Sequence, residues 1–262
     1  MRSVSSRSPN QLASLSAILI VKNEGSQIAE CVETLRFCDE IVVVDNNSTD
    51  QTVENARKLG CKVIVTTDWP GFGLQKQRAL DNASGEWILS IDADERVTAE
   101  LQAELIAAIS SNAHQGYKIK RKSQFLGKWM RFGGWYPDYV LRLARRESCR
   151  FDPTPVHEKL IVDGSIGTLK HHFLHYSYRS ISDVLSKQKR YALANAGKIR
   201  EKKGSRASIL KAVLRSAWTF LRLYVIQLGL LDGRHGFISA TFKSQEVFWK
   251  YVATEFEPND RL

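Results

Sequence analysis

The 262-residue sequence lacks an apolar run near its start that would suit a signal peptide. Such a peptide needs about seven to fifteen apolar residues followed by a cleavage site of small residues. Residues 1–14 are instead mostly polar and rich in serine, and the first largely apolar run, Leu15–Val21, leads into Lys22-Asn23-Glu24. We therefore expect a flexible tail over residues 1–14 and a cytoplasmic protein.

Cysteine is scarce, and the spacing of the four cysteines is not that of a zinc site or of a Cys-x-x-Cys motif. Cys31, Cys38, Cys61 and Cys149 form no Cys-x-x-Cys pair and have no nearby histidine at the spacing of a zinc site. The pattern predicts reduced, mostly buried thiols in a reducing compartment, in agreement with the expected cytoplasmic location.

Acidic residues are nearly missing from part of the C-terminal third. Between Lys187 and Arg222 there are eleven Lys/Arg and one acid, Glu201. The difference of +10 equals the net charge of the whole chain, so the charges of all other residues sum to zero. An acidic partner is expected for this basic segment.

Strand-like and helix-like segments alternate from Leu15 to about Ser110. Strands are predicted at Ala17–Val21, Glu40–Val44, Lys62–Thr66 and Trp87–Ile91. Helices are predicted at Ile28–Leu35, Val53–Leu59 and Leu74–Asn82, and in a fourth segment capped by Thr98. Strands that alternate with helices over short connections predict an α/β fold, with a mostly parallel sheet covered by helices on both faces.

Polar side chains follow the ends of these strands. They are Asn23, Glu24, Asp45, Asp68, Asp92 and Asp94. Ligands of open α/β sheets bind beyond the carboxyl ends of the strands. We therefore expect these side chains to converge at one edge of the sheet.

The segment Asp92-Ala93-Asp94 is the strongest candidate for a metal site. Two carboxylates separated by one residue can share a hard cation such as Mg²⁺ or Mn²⁺ and leave coordination positions for phosphate oxygens. Such a cation would neutralise the charge of a departing diphosphate. A bare Asp-x-Asp is more often a pair of solvated loop acids, and the place of this one after the fourth strand favours the metal site.

Three further residues have two interpretations each. Asp45 either holds a polar turn before the next helix or accepts hydrogen bonds from a nucleotide. Lys76 and Arg78 follow the Gly71-Phe72-Gly73 loop, where they either approach phosphates or form an ordinary exposed helix face.

Three segments resemble the family 2 inverting glycosyltransferases of the GT-A fold. They are Val21–Glu24, Val42–Asp50 and Trp87–Glu95, and their order and spacing match across about Leu15 to Ser110. The second half resembles the lipopolysaccharide inner-core glucosyltransferases that act on heptose. That narrower likeness rests on Gly133-Gly134-Trp135-Tyr136-Pro137-Asp138, on Val156-His157-Glu158 and on a basic helical tail.

The resemblance implies roles for the candidate residues. Asn23, Glu24 and Asp45 would surround the nucleotide, while Asp92 and Asp94 would hold the metal and diphosphate. The donor would be a nucleotide sugar, with UDP-glucose favoured, and the acceptor would be a lipid-linked oligosaccharide such as the heptose of a lipopolysaccharide core. The chain lacks the Gln-x-x-Arg-Trp motif of processive members, having Gln188-Lys189-Arg190-Tyr191 instead, which favours addition of one sugar.

An inverting transferase also needs a carboxylate that takes the proton of the acceptor hydroxyl. Glu158 is the preferred candidate, because the family places its base after the aspartate motif in an acceptor-facing loop. Asp138 is the rival and an expected substrate-binding residue, and Asp152 is a weaker candidate. The alternative for Glu158 is a surface ion pair.

We expect a catalytic domain over residues 15–178, with a nucleotide-sugar half at 15–110 and an acceptor half at 111–178. A basic helical extension is expected over 179–262. Within it, Lys211, Arg215 and Arg222 fall on one helical face near Trp218 and Leu221, which suits an anionic membrane surface. The alternative is a helix packed on the domain with its basic face in water.

Two other functions remain open at this point. The same chemistry could serve a polyprenyl-linked or protein-linked glycan. A nucleic-acid-binding module would use the basic tail, but the cations lie on an apolar helix and no recognition motif accompanies them, so no nucleic-acid partner is expected.

Overall fold

The structure is a computed structural model that describes residues 13–153, 159–201 and 208–256. The chain divides into two compact units. The first contains Met1–Arg121 and Tyr139–Leu174, and the second contains Lys122–Asp138 and His175–Leu262. The aromatic glycine motif at residues 133–138 therefore belongs to the unit that also contains the C-terminal helices. The domain boundaries expected from the sequence remain a proposal.

Four parallel strands form one side of the main sheet, in the order β3–β2–β1–β4. They are β1 (Leu15–Val21), β2 (Glu40–Asp45), β3 (Lys62–Val65) and β4 (Trp87–Ser90). Successive side chains of these strands enter different cores, since a strand alternates its side chains between the two faces of a sheet. Leu19 and Val43 lie in one core, and Ile18 and Val42 lie in the other.

Helices cover both faces, as predicted. They are α1 (Ile28–Glu33), α2 (Thr52–Lys58), α3 (Phe72–Asp81) and α4 (Ala99–Ser111). Ile28 and Leu101 lie in the core of Leu19, whereas Leu80 lies in the core of Ile18. The predicted cap of α4 is also present, because Thr98 Oγ1 accepts a hydrogen bond from the Leu101 amide at 3.2 Å.

Later strands make the sheet a mixed one. They are β5 (Glu95–Val97), β6 (Gly116–Phe125), β7 (Lys128–Trp129), β8 (Asp138–Arg145), β9 (Cys149–Phe151), β10 (Leu160–Val162) and β11 (Ile166–Tyr178). Strand β8 pairs antiparallel with β4, with Leu143 opposite Leu89. The preceding residue of β8, Arg142, is thereby brought beside the end of β4. Strands β9 and β10 form a separate antiparallel hairpin.

The second unit is largely helical, so the helical extension predicted from the sequence is confirmed. Its helices are α5 (Ile181–Glu201), α6 (Ile209–Leu221) and α7 (Gly233–Phe256). Helix α7 packs against both others: Gln188 Nε2 donates to Phe242 O at 2.9 Å, and the hydroxyls of Ser216 and Ser244 are 2.8 Å apart. Among the residues described, none of the helices is long and apolar enough to cross a membrane.

Candidate active site

The loops that follow β1 and β2 are joined by hydrogen bonds at the carboxyl edge of the sheet. The Asn23 amide donates to Ser48 Oγ at 2.8 Å, and Asn23 Oδ1 accepts from the Thr49 amide at 2.8 Å. Beside them, the Glu24 amide donates to Thr52 Oγ1 at 2.8 Å. Asn23 has a φ of 55°, a conformation that asparagine tolerates better than most residues. The convergence expected from the strand ends is thus present for Asn23, Glu24 and Asp45.

Asp45 fixes the loop that follows β2, which is bonded in turn to the loop that follows β1. Its side chain is fully buried and accepts hydrogen bonds from the Ser48 amide, at 2.8 Å, and from the Ser48 hydroxyl. Because Ser48 Oγ in turn accepts from Asn23, a chain of hydrogen bonds connects Asp45 with the surface. Asp45 therefore holds the turn, as one of its two interpretations predicted. A contact between Asp45 and a nucleotide remains a prediction.

Lys76 and Arg78 have different environments although both lie on α3. Lys76 is buried, and its Nζ lies 3.3 Å from Asp92 Oδ1. Arg78 instead forms two hydrogen bonds with Asp68, at 2.9 and 2.5 Å, on the exposed side of the helix. Lys76 is thus the residue of this pair that lies beside the Asp-x-Asp segment.

Asp92 lies between two cations. Arg142 Nη2 is 2.5 Å from its Oδ2 atom, while Lys76 approaches the other oxygen. Burial by itself would raise the pKa of Asp92, but the charges of Arg142 and Lys76 outweigh it and hold that pKa far below its usual range. Asp92 is therefore ionised at neutral pH.

Glu95 and Arg142 belong to the same cluster, although neither was predicted from the sequence as a site residue. Glu95 is fully buried: its Oε2 accepts from the Asp92 amide at 3.0 Å, and its Oε1 lies 3.1 Å from Arg142 Nη2. Arg121 Nη1 approaches the same Oε1 at 3.7 Å. The available signal was a single arginine inside the apolar run Val140–Ala144, which is unusual unless the charge has a partner.

Arg96 fixes the backbone of the turn that contains Asp92 and Asp94. Its Nη1 donates to the carbonyls of Ala93 and Glu95, at 2.7 and 2.8 Å. Its Nη2 donates to the Gln27 carbonyl and to Glu30, both at 3.1 Å, and so connects the turn with α1. The Asp-x-Asp segment is consequently held from both sides by buried arginines.

A divalent cation fits this segment only with help from a substrate. Within the described part of the chain, no three His, Cys, Asp or Glu side chains are grouped so that they could hold a metal ion by themselves. Magnesium, however, is commonly bound by one or two carboxylates together with phosphate oxygens. Asp92, whose side chain is 33% exposed, and the half-buried Asp94 meet that smaller requirement.

The three candidate bases belong to different parts of the chain. Glu158 lies outside the described residues. Asp152 lies in the first unit, where its amide donates to the Lys159 carbonyl at 2.9 Å at the end of the β9–β10 hairpin. The hairpin is attached to α3, because the Phe151 amide donates to Gln77 Oε1 at 2.8 Å. Asp138 is half-buried and belongs to the second unit.

The model of glycosyl transferase family 2 matches residues 16–150. Over 240 residues the chain is 33% identical to the lipopolysaccharide core biosynthesis glycosyltransferase LpsC of Rhizobium meliloti, and the match covers 86% of each chain. An uncharacterized glycosyltransferase of Rickettsia typhi is 30% identical over 239 residues, which cover 86% of this chain and 81% of that protein. Among solved structures, Staphylococcus aureus TarS 1–349 in complex with UDP has a TM-score of 0.48 and 17% identity, covering 95% of this chain and 94% of that one.

Proposed function

Since the chain belongs to glycosyl transferase family 2 and has the GT-A fold, we propose that it transfers a single hexose from a nucleotide diphosphate sugar to a lipopolysaccharide core acceptor. The family match supports the transfer reaction, and the likeness to LpsC across most of both chains supports the class of acceptor. UDP-glucose is the proposed donor, and the heptose of the core is the proposed acceptor sugar. A polyprenyl-linked glycan is the alternative acceptor.

The observation that carries the proposal is the placement of Asp92 between Lys76 and Arg142 at the carboxyl edge of the sheet. A diphosphate bound at this edge would meet cations that are already desolvated and held in place. Such cations bind phosphate oxygens through short, charge-assisted hydrogen bonds. Asn23, Glu24 and Asp45 would form the nucleotide side of the same edge.

We propose that Asp92 and Asp94 hold a divalent cation, Mg²⁺ or Mn²⁺, together with the diphosphate. When bound, the cation would stabilise the negative charge of the leaving nucleotide diphosphate. Glu95 and Arg96 would keep the two carboxylates in position, Glu95 through the Asp92 amide and Arg96 through the carbonyls of the turn.

In the proposed reaction the acceptor hydroxyl attacks the anomeric carbon as the bond to the diphosphate breaks. The configuration is inverted, and the hydroxyl proton passes to a carboxylate. Glu158 is the proposed base, with Asp138 as a substrate-binding residue and the rival for that role. A lipid-linked acceptor would place the reaction at the inner face of the cytoplasmic membrane, with the enzyme bound there peripherally.

A transfer assay tests the proposal. Purified protein is incubated with radiolabelled nucleotide sugars, with Mg²⁺ or Mn²⁺, and with either truncated lipopolysaccharide or a polyprenyl-linked glycan as the acceptor. We expect transfer from one donor, and a loss of about a hundredfold or more in Asp94→Asn or after chelation. Asp163→Asn is the control, because this exposed acid pairs with Arg150 on the β9–β10 hairpin. Glu158→Gln should abolish transfer and leave donor binding intact.

Two results would contradict different parts of the proposal. Wild-type activity in Asp94→Asn, or indifference to chelator, would overturn the metal assignment. Absence of transfer with every donor and both acceptor classes would overturn the function itself.

A further inference from the structure

Helix α6 exposes the large apolar side chains that a soluble helix normally buries. Six of them, five in α6 and Val225 just beyond it, are between 45% and 67% exposed: Leu210, Val213, Leu214, Trp218, Leu221 and Val225. Successive members are three or four residues apart, except for the adjacent pair Val213 and Leu214. They therefore fall on one face of the helix. Together they form what we call the apolar face.

The opposite side of α6 is the one that packs. Ala212 is fully buried, Thr219 is 8% exposed, and Ser216 meets Ser244 of α7. The helix thus uses small and polar residues for its attachment and presents its large apolar residues to the surroundings. Exposed apolar patches of this kind usually mark a binding surface.

A row of cations borders the apolar face. Lys211, Arg215 and Arg222 are four and seven residues apart, which places them along one line of the helix. Residues 208–231 include no acid, and the next one, Asp232, is only 3% exposed. The surface is therefore apolar on one side and cationic along its border.

The turn after α6 continues the apolar surface. Ile226, Leu228, Leu230 and Leu231 are between 41% and 57% exposed. Hydrogen bonds within the second unit hold this turn: the Gly133 amide donates to the Gln227 carbonyl at 2.8 Å, and Asp232 Oδ2 accepts from the amides of Arg131 and Phe132 at 3.0 and 2.9 Å. The apolar side chains are thus exposed on an anchored backbone.

We propose that the apolar face and the turn after it dock on an anionic lipid bilayer, with α6 lying in the plane of the interface. The large side chains would enter the boundary of the acyl chains, while Arg215 and Arg222 would meet lipid phosphates. A second copy of the chain fits less well, because a symmetric contact would bring two cation rows together without an acid in the segment to neutralise them.

This docking surface would bring the enzyme to an acceptor that is carried by a lipid, and that role of the surface rests on the proposed function. The turn that would touch the bilayer is bonded to Gly133, the first residue of the aromatic glycine motif, which lies in the acceptor half expected from the sequence. An acceptor carried by a lipid would therefore be bound next to the membrane that holds it. The docking itself needs no sugar transfer and is tested separately.

Co-sedimentation with vesicles tests the docking. We expect the full-length protein to bind vesicles of phosphatidylcholine mixed with phosphatidylglycerol and to dissociate as the salt rises from about 0.05 to about 0.5 M. Vesicles of phosphatidylcholine alone should bind it weakly. Val213→Asp should lower the partition coefficient about tenfold or more. The matched control is Val65→Asp, since the two valines are 48% and 46% exposed and Val65 lies in the first unit.

A charge-matched pair tests the cation row. Arg215→Gln with Arg222→Gln should weaken binding to the anionic vesicles. Lys58→Gln with Lys243→Gln removes the same charge from exposed lysines that pair with Glu54 and Glu246, and should have little effect. Binding insensitive to lipid charge and salt would overturn the role of the cations.

Circular dichroism verifies the fold of each variant, and Leu210→Ser, at a residue 67% exposed, replaces Val213→Asp if that variant does not fold. The docking proposal would be overturned by wild-type vesicle binding in the apolar-face variants. It would also be overturned by equal losses of binding in the matched controls. A third contrary result would be a wild-type protein that forms a dimer and does not bind vesicles, with apolar-face variants that are monomeric. Normal vesicle binding without transfer activity would leave the docking intact and contradict the function alone.

Discussion

Arg142 donates a hydrogen bond to Asp92, with 2.5 Å between Nη2 and Oδ2. The same nitrogen lies 3.1 Å from Oε1 of Glu95, so a single guanidinium joins the Asp-x-Asp segment to a fully buried carboxylate. With Lys76 on the other oxygen, the negative charge of Asp92 is compensated within the protein. The carboxylate predicted to hold a metal is thus also the partner of two buried cations.

Replacing Arg142 should destabilise the first unit. Arg142→Gln leaves Glu95 with Arg121 as its more distant partner, at 3.7 Å. Breaking a buried ion pair costs about 3–5 kcal/mol, and the partial exposure of Asp92 reduces this to about 2–4 kcal/mol. Arg142→Lys should cost less, because the charge remains although the two-carboxylate contact is lost. Urea denaturation at pH 7 measures both.

The stability difference between wild type and Arg142→Gln should depend on pH. The pKa of Asp92 is depressed in the folded protein, so the pair contributes stability above the ordinary aspartate pKa of about 4, and this contribution is lost as the pH falls. The difference in unfolding free energy between wild type and Arg142→Gln should therefore shrink between about pH 5 and pH 3. A difference that is constant over this range would contradict the pairing of Arg142 with Asp92.

The strand ends were the part of the site that could be predicted from the sequence. Asp45 and Asn23 each follow a short apolar run, and parallel strands bring such positions to one edge regardless of the details of packing. The structure accordingly connects them through Ser48. The positions of the helices followed in the same way from local periodicity.

Arg142 could not be placed in this way. It lies 50 residues beyond Asp92 in sequence and reaches it because β8 pairs antiparallel with β4. Such a pairing depends on contacts between residues far apart in the sequence, so it cannot be predicted from the local pattern of either strand. The buried side of α6 could not be predicted for a related reason. The sequence reveals a row of cations, but only the packing shows that Ala212 and Thr219 are buried and that Ser216 contacts Ser244 of α7.

The native thiols should react slowly with alkylating agents. Burial raises the pKa of Cys61 to about 11 and those of Cys38 and Cys149 to about 12, and it raises the pKa of Cys31 as well. At pH 8 about one thousandth of Cys61 is then thiolate, against about a quarter of an ordinary thiol.

Iodoacetamide labelling followed by mass spectrometry measures this reactivity. We expect native alkylation to be about a hundredfold slower than in urea, where all four cysteines should react alike. Cys31 and Cys61 are buried and Cys38 and Cys149 are half-buried, so rapid labelling of any one of them in the native protein would contradict the protection that the structure gives these thiols.

The turn that carries the exposed leucines depends on the absence of a side chain at Gly236. A Cβ at this position of α7 would lie 1.8 Å from the carbonyl oxygen of Gly229, so Gly236→Ala must displace backbone. In an open helix the same change would gain about 1 kcal/mol, whereas here we expect a loss of about 3 kcal/mol or more. Gly60→Ala is the control, because a Cβ at Gly60 would meet no atom within 4 Å, and the hydrogen bonds of Gly60 and Cys61 to the end of α2 are those of a left-handed residue that costs alanine only about 1–2 kcal/mol. Urea denaturation followed by circular dichroism compares the two, and a smaller loss in Gly236→Ala than in Gly60→Ala would show that the turn does not rest on this close backbone contact.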